Sequence, residues 1–312
     1  SWANTQKLAS KEWKFQLFYW DYSIGVLLLA LFFAFTLGSF GSEGRHFIED
    51  LFQADSNALL SAFLGGVIFN LANILIVVAI DIAGMAVAFP VGIGLALILG
   101  VITNYIGEPV GNPYLLFAGV AAVTIAILVD AIAYRRLSGS KESKARNGLL
   151  IALAGGILMG FFYRFVASSM SVDFVTLEVG KLSPYTAVVI FSLGLLVSNF
   201  IWNTILMVKP LSGEPVKYSD YINKGSLKLH LIGILGGVIW SIGMSFSIIA
   251  SGAAGFAISY GLGQGATMVA AFWGVFIWKE FKDAPKGTNK LLGVMFSFFI
   301  VGLTLIILAR IY

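Results

Sequence analysis

Nine apolar stretches dominate the chain, and each is long enough to cross a bilayer. A transmembrane helix needs about 20 apolar residues at a rise of about 1.5 Å per residue. The stretches lie at Phe15–Phe40, Asn57–Ile82, Met85–Ile106, Pro113–Tyr134, Asn147–Met170, Pro184–Met207, Leu227–Ala250, Gly255–Trp278 and Lys290–Ile311. Trp2–Ala9 is too short to span, and we expect it to be the end of a first helix that begins before this sequence. The sequence therefore predicts an all-α membrane protein of ten helices.

Composition excludes most other classes of protein. Hydrophobic residues make up 58% of the chain and charged residues 12%, which is more apolar side chain than a soluble domain of 312 residues can bury. Cysteine is absent and there are two histidines, so we expect no metal site. The sequence also has no nucleotide-binding P-loop and no cluster of nucleophile and base. We therefore expect neither an enzyme nor a protein with a cofactor, and no nucleic-acid partner.

Lysine and arginine predict the orientation in the membrane. In a ten-helix count, the loops after helices one, five, seven and nine lie on one side, which we call the basic side. These loops hold 16 of the 20 basic residues. Since cytoplasmic loops are enriched in lysine and arginine, we expect both termini outside the cytoplasm.

The second half of the sequence repeats the first along a single ungapped alignment. Leu64–Phe69 reads LGGVIF and Leu235–Trp240 reads LGGVIW. The alignment that sets Leu64 against Leu235, which we call the repeat alignment, also pairs Gly92 and Gly94 with Gly263 and Gly265. A repeat of five helices is odd, so its two copies insert in opposite directions, as in many secondary transporters. We predict two inverted repeats, at residues 1–140 and 146–312.

Alternate glycines mark the fourth and ninth helices. The runs are Phe89–Gly94, which reads FPVGIG, and Tyr260–Gly265, which reads YGLGQG. Such glycines weaken or bend a helix and expose its backbone. One interpretation is a pair of symmetry-related irregular segments beside a substrate. The other is close helix packing through small residues.

Polar residues within the spans suggest the lining of a cavity. Asn70 and Asn73 share one face of the third helix, and Asn70 lies about 20 Å from its outer end. Gln264 has no ready route to water, whereas Arg164 could extend outward to the interface. The alternative for these amides is hydrogen bonding between helices.

Acidic residues within the spans are few. Asp81 and Asp130 fall near helix ends, where interfacial positions are expected. Asp21 lies in the run Tyr19–Tyr22, whose aromatic residues fit an interfacial belt. Asp21 is nevertheless the best candidate for binding a coupling ion.

These features resemble the drug/metabolite transporter superfamily, and within it the ureide permeases and the bacterial glucose/rhamnose uptake proteins. The resemblance rests on Ser1–Lys7, Asp21–Ile24, Pro184–Ala187 and the two Gly-Gly-Val-Ile motifs. It implies a central cavity built from helices one, three, four, six, eight and nine. The implied substrate-binding residues are Trp2, Asn4, Thr5, Asn70, Asn73, Phe89, Tyr163, Arg164, Trp240, Ser241, Tyr260 and Gln264.

The expected function is secondary transport of a small uncharged polar solute by alternating access. Ureides or nucleobases suit amides set among aromatic rings, and sugars suit almost the same lining. A channel is a third possibility, although the inverted repeat argues against it. We expect lipid and solute as partners, H⁺ or Na⁺ as coupling ion, a monomer or homodimer, and a bacterial inner (plasma) membrane.

Overall fold

Helices account for the regular structure of the chain. The computed structural model describes residues 3–40, 44–83, 88–138, 145–211 and 213–312, which form helices and no β-strand. The helices are α1 (Ala3–Ala9), α2 (Phe15–Phe35), α3 (Phe47–Gln53), α4 (Ser56–Ala83), α5 (Gly94–Gly107), α6 (Pro113–Ser138), α7 (Ala145–Ser169), α8 (Pro184–Val208), α9 (Tyr218–Asn223), α10 (Leu227–Ala254), α11 (Phe256–Gly263), α12 (Gly265–Phe272) and α13 (Thr288–Ile311). Two π-helical turns, Phe89–Ile93 and Trp273–Ile277, precede α5 and follow α12.

Eight helical segments of the described residues are long and apolar enough to span a membrane. They are α2, α4, α6, α7, α8, α10, the continuous segment Phe256–Ile277 and α13. These correspond to eight of the nine predicted stretches. The stretch Met85–Ile106 appears as a shorter apolar helix at Val91–Gly107, and part of it lies outside the described residues. With α1 only seven residues long, the count of ten helices stays a prediction.

The chain forms two compact units, each built from both halves of the sequence. The first unit contains Ser1–Asn70 and Phe162–Gly252, and the second contains Leu71–Phe161 and Ala253–Tyr312. These units do not coincide with the predicted repeats, because each repeat contributes helices to both. The repeat boundaries therefore stay a prediction.

Glycines bring α4 against α8 in the first unit. A Cβ added to Gly66 would overlap Phe191 O and lie 2.8 Å from Leu195 N. A Cβ added to Gly194 would overlap Phe63 O. Because backbone atoms fill these places, only glycine permits the two helices to approach so closely.

The contact between α10 and α2 repeats this arrangement. A Cβ added to Gly237 would overlap Tyr22 O and lie 2.7 Å from Val26 N. A Cβ added to Gly25 would overlap Ile234 O. The repeat alignment matches Gly237 and Ile234 of α10 with Gly66 and Phe63 of α4. The alignment read from the sequence thus relates two interfaces of the same unit.

Glycine also shapes the second unit. A Cβ on Gly119 of α6 would lie 2.7 Å from Gly302 O of α13, and a Cβ on Gly302 would lie 2.8 Å from Gly119 O. The two glycines therefore form a reciprocal crossing point, where neither helix can carry a side chain.

Both glycine runs of the second unit depart from regular α-helix, as one interpretation predicted. Phe89–Ile93 is a π-helical turn, a feature often found at functional sites. At the aligned place, α11 ends at Gly263 and α12 begins at Gly265. Close packing holds as well, since a Cβ on Gly156 would lie 2.6 Å from Gly92 O. The irregular backbone and the close packing are both observed, and a substrate beside these segments stays a prediction.

Candidate functional site

The predicted substrate-binding residues divide by exposure. Trp2 lies outside the described residues, and of Phe89 only the backbone is described. Six of the others are buried: Thr5, Asn70, Asn73, Tyr163, Ser241 and Tyr260. Four are partly exposed: Asn4, Arg164, Trp240 and Gln264. Exposure therefore divides the candidates into buried and partly exposed residues, and their roles in solute binding stay a prediction.

Trp240 is the exposed member of an aromatic cluster in the first unit. Its ring lies 4.6 Å from that of Phe69 and 5.9 Å from that of Phe191, centroid to centroid. The rings of Trp240 and Phe191 are close to parallel, and Phe162 packs edge-on against Phe69. Phe69, Phe162 and Phe191 are buried, whereas Trp240 is half-buried. The cluster therefore holds the indole ring firmly and leaves part of it open.

The cluster lies at the middle of the membrane-spanning helices. Trp240 stands at the midpoint of the 28-residue helix α10, and Phe69 at the midpoint of the 28-residue helix α4. Each position is about 20 Å from the start of its helix. Phe69 and Trp240, the last residues of the two aligned motifs, are thus in direct contact.

Asn70 and Ser241 form side-chain hydrogen bonds between helices. Asn70 Nδ2 donates to Leu195 O at 3.1 Å and to Ser198 Oγ at 2.9 Å, which ties α4 to α8. Ser241 Oγ donates to Val26 O at 3.2 Å, which ties α10 to α2 at the equivalent place. Asn70 Oδ1 is buried and has no hydrogen-bond partner among the described residues. Both residues therefore form hydrogen bonds between helices, and the Oδ1 acceptor of Asn70 is not used in them.

The remaining first-unit residues line the α1 and α7 contacts. A Cβ on Gly236 would lie 2.5 Å from Thr5 Oγ1, so Thr5 packs α1 against α10. Tyr163 is 1% exposed, and its hydroxyl lies 3.5 Å from Ser247 O. Arg164 follows it on α7 and is half-buried.

In the second unit, Tyr260 joins three segments. Its hydroxyl lies 3.1 Å from both Ala96 O of α5 and Met159 O of α7, and its ring covers Gly100. Gln264 occupies the break between α11 and α12 and is half-buried. Gln264 is thus a polar residue of the irregular segment whose side chain retains exposed surface.

The interpretation of Tyr19–Tyr22 as an interfacial belt is wrong. Tyr19 and Tyr22 are 0% exposed, Trp20 is 7% exposed and Asp21 is 2% exposed. Their aromatic rings pack inside the first unit, as the stacking of Tyr19 on Tyr22 at 5.2 Å shows. Aromatic residues look alike in sequence whether they face lipid or protein, which is why the pattern misled.

Asp21 instead belongs to a cluster that the sequence did not reveal. Tyr221 of α9 donates a short hydrogen bond to Asp21 Oδ1. His230 Nδ1 of α10 lies 2.9 Å from Asp21 Oδ2. Trp13 stacks on Tyr221 at 5.6 Å and meets His230 edge-on at 4.9 Å. We call these four residues the Asp21 cluster.

Electrostatics keep the phenol of this cluster protonated. Burial, followed by the hydrogen bond to Asp21 and the charge of its carboxylate, raises the pKa of Tyr221 well above its usual range. Tyr221 is therefore a permanent donor at physiological pH. No sequence signal could have found it, because 200 residues separate it from Asp21.

A second acidic group lies in the second unit. Asp130 of α6 is 5% exposed and Asp81 of α4 is exposed. The interfacial depth expected for both residues stays a prediction. Nearby, Tyr134 donates to Glu280 Oε2 at 2.7 Å. Asp130 is a buried carboxylate at the basic end of its helix, four residues before Tyr134.

Eight apolar spans among the described residues indicate an integral membrane protein of helical type, and the aromatic cluster lies midway along two of them. The sequence model of the ureide permease family matches residues 18–147 and 135–309, which is most of the chain. The chain therefore belongs to the ureide permease family, and it is a membrane permease.

Individual relatives agree with this assignment. Ureide permease 1 and ureide permease 2 of Arabidopsis thaliana are each 23% identical, over 92% and 90% of this chain and 87% and 86% of their own length. A probable glucose uptake protein of Staphylococcus aureus (strain MRSA252) is 26% identical over 70% of this chain and 67% of its own length. The resemblance read from the sequence is confirmed. A bacterial source stays a prediction.

Proposed function

We propose that this permease moves a small uncharged polar solute, a ureide or a molecule like one, by alternating access. The half-buried Trp240 on its aromatic support at mid-membrane carries the proposal. A planar ureide presents two π-faces and a rim of N–H and C=O groups. An aromatic ring that is held rigidly offers a stacking surface at low entropic cost.

Two partly exposed residues receive direct roles. In the first unit, Trp240 stacks on the solute. In the second unit, Gln264 keeps its predicted role as an amide donor and acceptor, offered from the irregular segment of the ninth span. The buried residues receive positioning roles. Asn70 and Ser241 hold α4 and α10 in place, and Tyr260 holds the start of α11.

The repeat alignment supports the proposal of alternating access. The α4–α8 and α10–α2 interfaces, which the repeat alignment relates, have glycines and backbone contacts at equivalent positions. Each also has an equivalent side-chain hydrogen bond between its two helices. We propose that the chain is built from ten helices in two inverted five-helix repeats. We further propose that both termini face away from the cytoplasm and that the protein acts as a transporter rather than an enzyme.

Sugar uptake is the second candidate, favoured by the similarity to the probable glucose uptake protein over 70% of this chain. Aromatic faces bind the C–H surfaces of sugars as well as they stack on ureides. A thermal-shift screen of the purified protein with allantoin (a small cyclic ureide), uracil and glucose separates the candidates, since a bound solute stabilises the fold. Stabilisation by glucose alone would contradict the ureide assignment.

Two substitutions test the site itself. Trp240→Ala removes the stacking surface, and Gln264→Leu leaves polar groups of the solute without partners, at about 1–3 kcal/mol per group. We expect each to weaken solute affinity roughly tenfold or more, because about 1.4 kcal/mol corresponds to tenfold. The melting temperature should change little. Phe246→Ala is the matched control, since Phe246 lies on the same helix and is 56% exposed.

The opposite pattern would remove this site. If Trp240 and Gln264 only pack helices together, both variants lower the melting temperature and leave the affinity of the folded protein unchanged. Affinity by isothermal titration and melting temperature are measured on the same preparations.

A further inference from the structure

The Asp21 cluster joins three elements of the first unit at their basic end. Asp21 belongs to α2, Tyr221 to the short helix α9 and His230 to the first turn of α10. Trp13, 4% exposed, covers the cluster from the connection between α1 and α2. A Cβ on Gly233 would lie 2.5 Å from Asp21 Cβ, so the carboxyl-bearing carbon lies directly against α10. The carboxyl group is thus buried at a junction of separate elements.

The hydrogen bonds define where a proton can bind. The Tyr221 hydroxyl donates to Asp21 Oδ1. An ionised carboxylate only accepts hydrogen bonds, so with Asp21 ionised the His230 tautomer that pairs with Oδ2 carries its proton on Nδ1. Nε2 of the imidazole then remains as the basic atom. The His230 side chain is 25% exposed, whereas that of Asp21 is 3% exposed. The pair therefore has a buried acceptor and a partly exposed imidazole.

One proton changes the net charge of this pair from −1 to zero. With a neutral imidazole, the junction buries an uncompensated carboxylate, which is costly away from water. With a protonated imidazole, the same atoms form a neutral ion pair whose charge-assisted hydrogen bond is roughly twice as strong. Histidine is the side chain that ordinarily gains or loses its charge between about pH 5 and 8.

We propose that Asp21 and His230 form a proton-binding site, and that its occupancy locks α9 and α10 onto α2. The inference rests on the proposed transport function. His230 takes up a proton at Nε2 and releases it later in the transport cycle. Loss of the proton weakens the link between α2 and α10, and the junction can then open.

No other charge competes at the junction among the described contacts of Asp21. Helix α8 presents neutral amides to α2: Asn199 donates to Ser23 Oγ at 3.2 Å and Asn203 to Gln16 O at 2.9 Å. On α9, Lys224 pairs with Asp220 at 3.1 Å. Among these described contacts, the titratable groups that meet Asp21 are therefore Tyr221, which stays protonated, and His230.

Proteoliposomes can separate coupling from transport. Solute counterflow, the exchange of labelled for unlabelled allantoin at equal concentration, needs no net proton movement. Uphill accumulation driven by a pH gradient needs net proton movement. So does alkalinisation of the external medium when solute enters the proteoliposomes. Asp21→Asn and His230→Gln keep hydrogen-bonding groups in place while removing the titratable pair. Asp130→Asn is the matched control, a buried carboxylate outside this site.

We expect both cluster variants to retain counterflow within about threefold of the wild type. Uphill accumulation should fall by tenfold or more, to the level set by equilibration, and solute-induced proton movement should disappear. Asp130→Asn should accumulate solute like the wild type. The proposal is overturned if Asp21→Asn and His230→Gln still accumulate solute and move protons, or if only Asp130→Asn loses coupling.

A solute-free measurement keeps the proton site testable by itself. The chain has only two histidines, so ¹³C-histidine NMR in detergent resolves His230 from His46. Asp21→Asn should change the titration curve of His230 and leave that of His46 unchanged; an unchanged His230 curve contradicts the site. A wild-type protein without counterflow of any probe contradicts the proposed transport function instead.

Discussion

Two short helices of the first unit, α3 and α9, occupy equivalent places in the repeat alignment. They are linked to the neighbouring long helices by different side-chain interactions. Each precedes a long helix, and the repeat alignment sets the first residues of those long helices, Ser56 of α4 and Leu227 of α10, against each other. The same alignment matches Asp50 of α3 with Tyr221 of α9. Both residues bind the neighbouring long helix, Asp50 at the start of α8 and Tyr221 within α2.

At the α3 end the link is a permanent ion pair. Arg45 Nε donates to Asp50 Oδ1 at 2.9 Å, and Ser183 N donates to Asp50 Oδ2 at 2.8 Å. The guanidinium also donates to the carbonyl oxygens of Leu177, Glu178 and Lys181. Because a guanidinium stays charged at every physiological pH, the cation of this pair is not lost by titration.

At the α9 end the cation of the pair is an imidazole, which can lose its charge. When the contact glycines of the two interfaces are matched, the positions equivalent to Asp21 and His230 are Ile190 and Leu59, both apolar. The repeat alignment therefore relates two similar packing interfaces, and among the described residues a carboxylate–imidazole pair occurs at only one of them. This asymmetry assigns a fixed end and a proton-sensitive end to the same unit.

The largest expected effect comes from removing the Arg45–Asp50 ion pair at the α3 end. Arg45→Leu leaves the Asp50 carboxylate buried without its cation, and removing one partner of a buried pair costs about 3–5 kcal/mol. We expect the free energy of unfolding in detergent to fall by that amount, with the same loss at pH 6 and pH 8. A loss below about 1 kcal/mol, or one that differs between the two pH values, would show that this end is not a fixed ion pair.

A smaller effect tests whether the two interfaces are equivalent. Gly66→Ala and Gly237→Ala each place a Cβ against a backbone oxygen of the facing helix, so we expect losses of about 1–3 kcal/mol from overpacking. Gly243→Ala on α10 is the control, since a Cβ there has no neighbour within 4 Å. It should be neutral or add up to about 1 kcal/mol through helix propensity. Unequal losses at Gly66 and Gly237 would break the equivalence.

The membrane spans and the glycine contacts between helices were predictable from the sequence, because hydropathy and glycine content are properties of short segments. Eight spans follow from runs of apolar residues, and the repeat alignment follows from LGGVI, which recurs where both helices need glycine at a backbone contact. The irregular segments around Gly92 and Gly263 follow from alternate glycines for the same reason.

The chemistry was less predictable because it depends on contacts distant in sequence. Asp21 was recognised as a coupling candidate, but its partner His230 lies 209 residues away and carries no motif. Asn70 could equally have lined a cavity or joined helices, and only the position of Leu195 O decides between them. Exposure of Trp240 and burial of Tyr260 likewise follow from packing, not from composition.

The smallest expected effect is a change at high pH in the stability that the Tyr221 hydroxyl contributes at the α9 end. Because burial and Asp21 raise the pKa of Tyr221 in the folded protein, the stability contributed by its phenol is fully present below the ordinary tyrosine pKa of about 10. It is lost as pH rises through the higher folded value, since the unfolded chain then ionises first. Wild-type stability should therefore fall more steeply above about pH 10 than that of Tyr221→Phe. We expect a difference below about 1 kcal/mol, because Tyr221 is partly exposed to solvent.

The measurement is denaturant unfolding at pH 8, 10 and 11 in detergent. Phenylalanine keeps the stacking on Trp13, so the change isolates the hydroxyl. Tyr218→Phe serves as the control on the same helix, since Tyr218 is 50% exposed. Parallel pH profiles for the wild type and Tyr221→Phe would mean that the phenol is not held by a buried carboxylate. The α9 end would then lack the hydrogen-bond network that distinguishes it from the ion pair of α3, and the asymmetry between the two ends would rest on His230 alone.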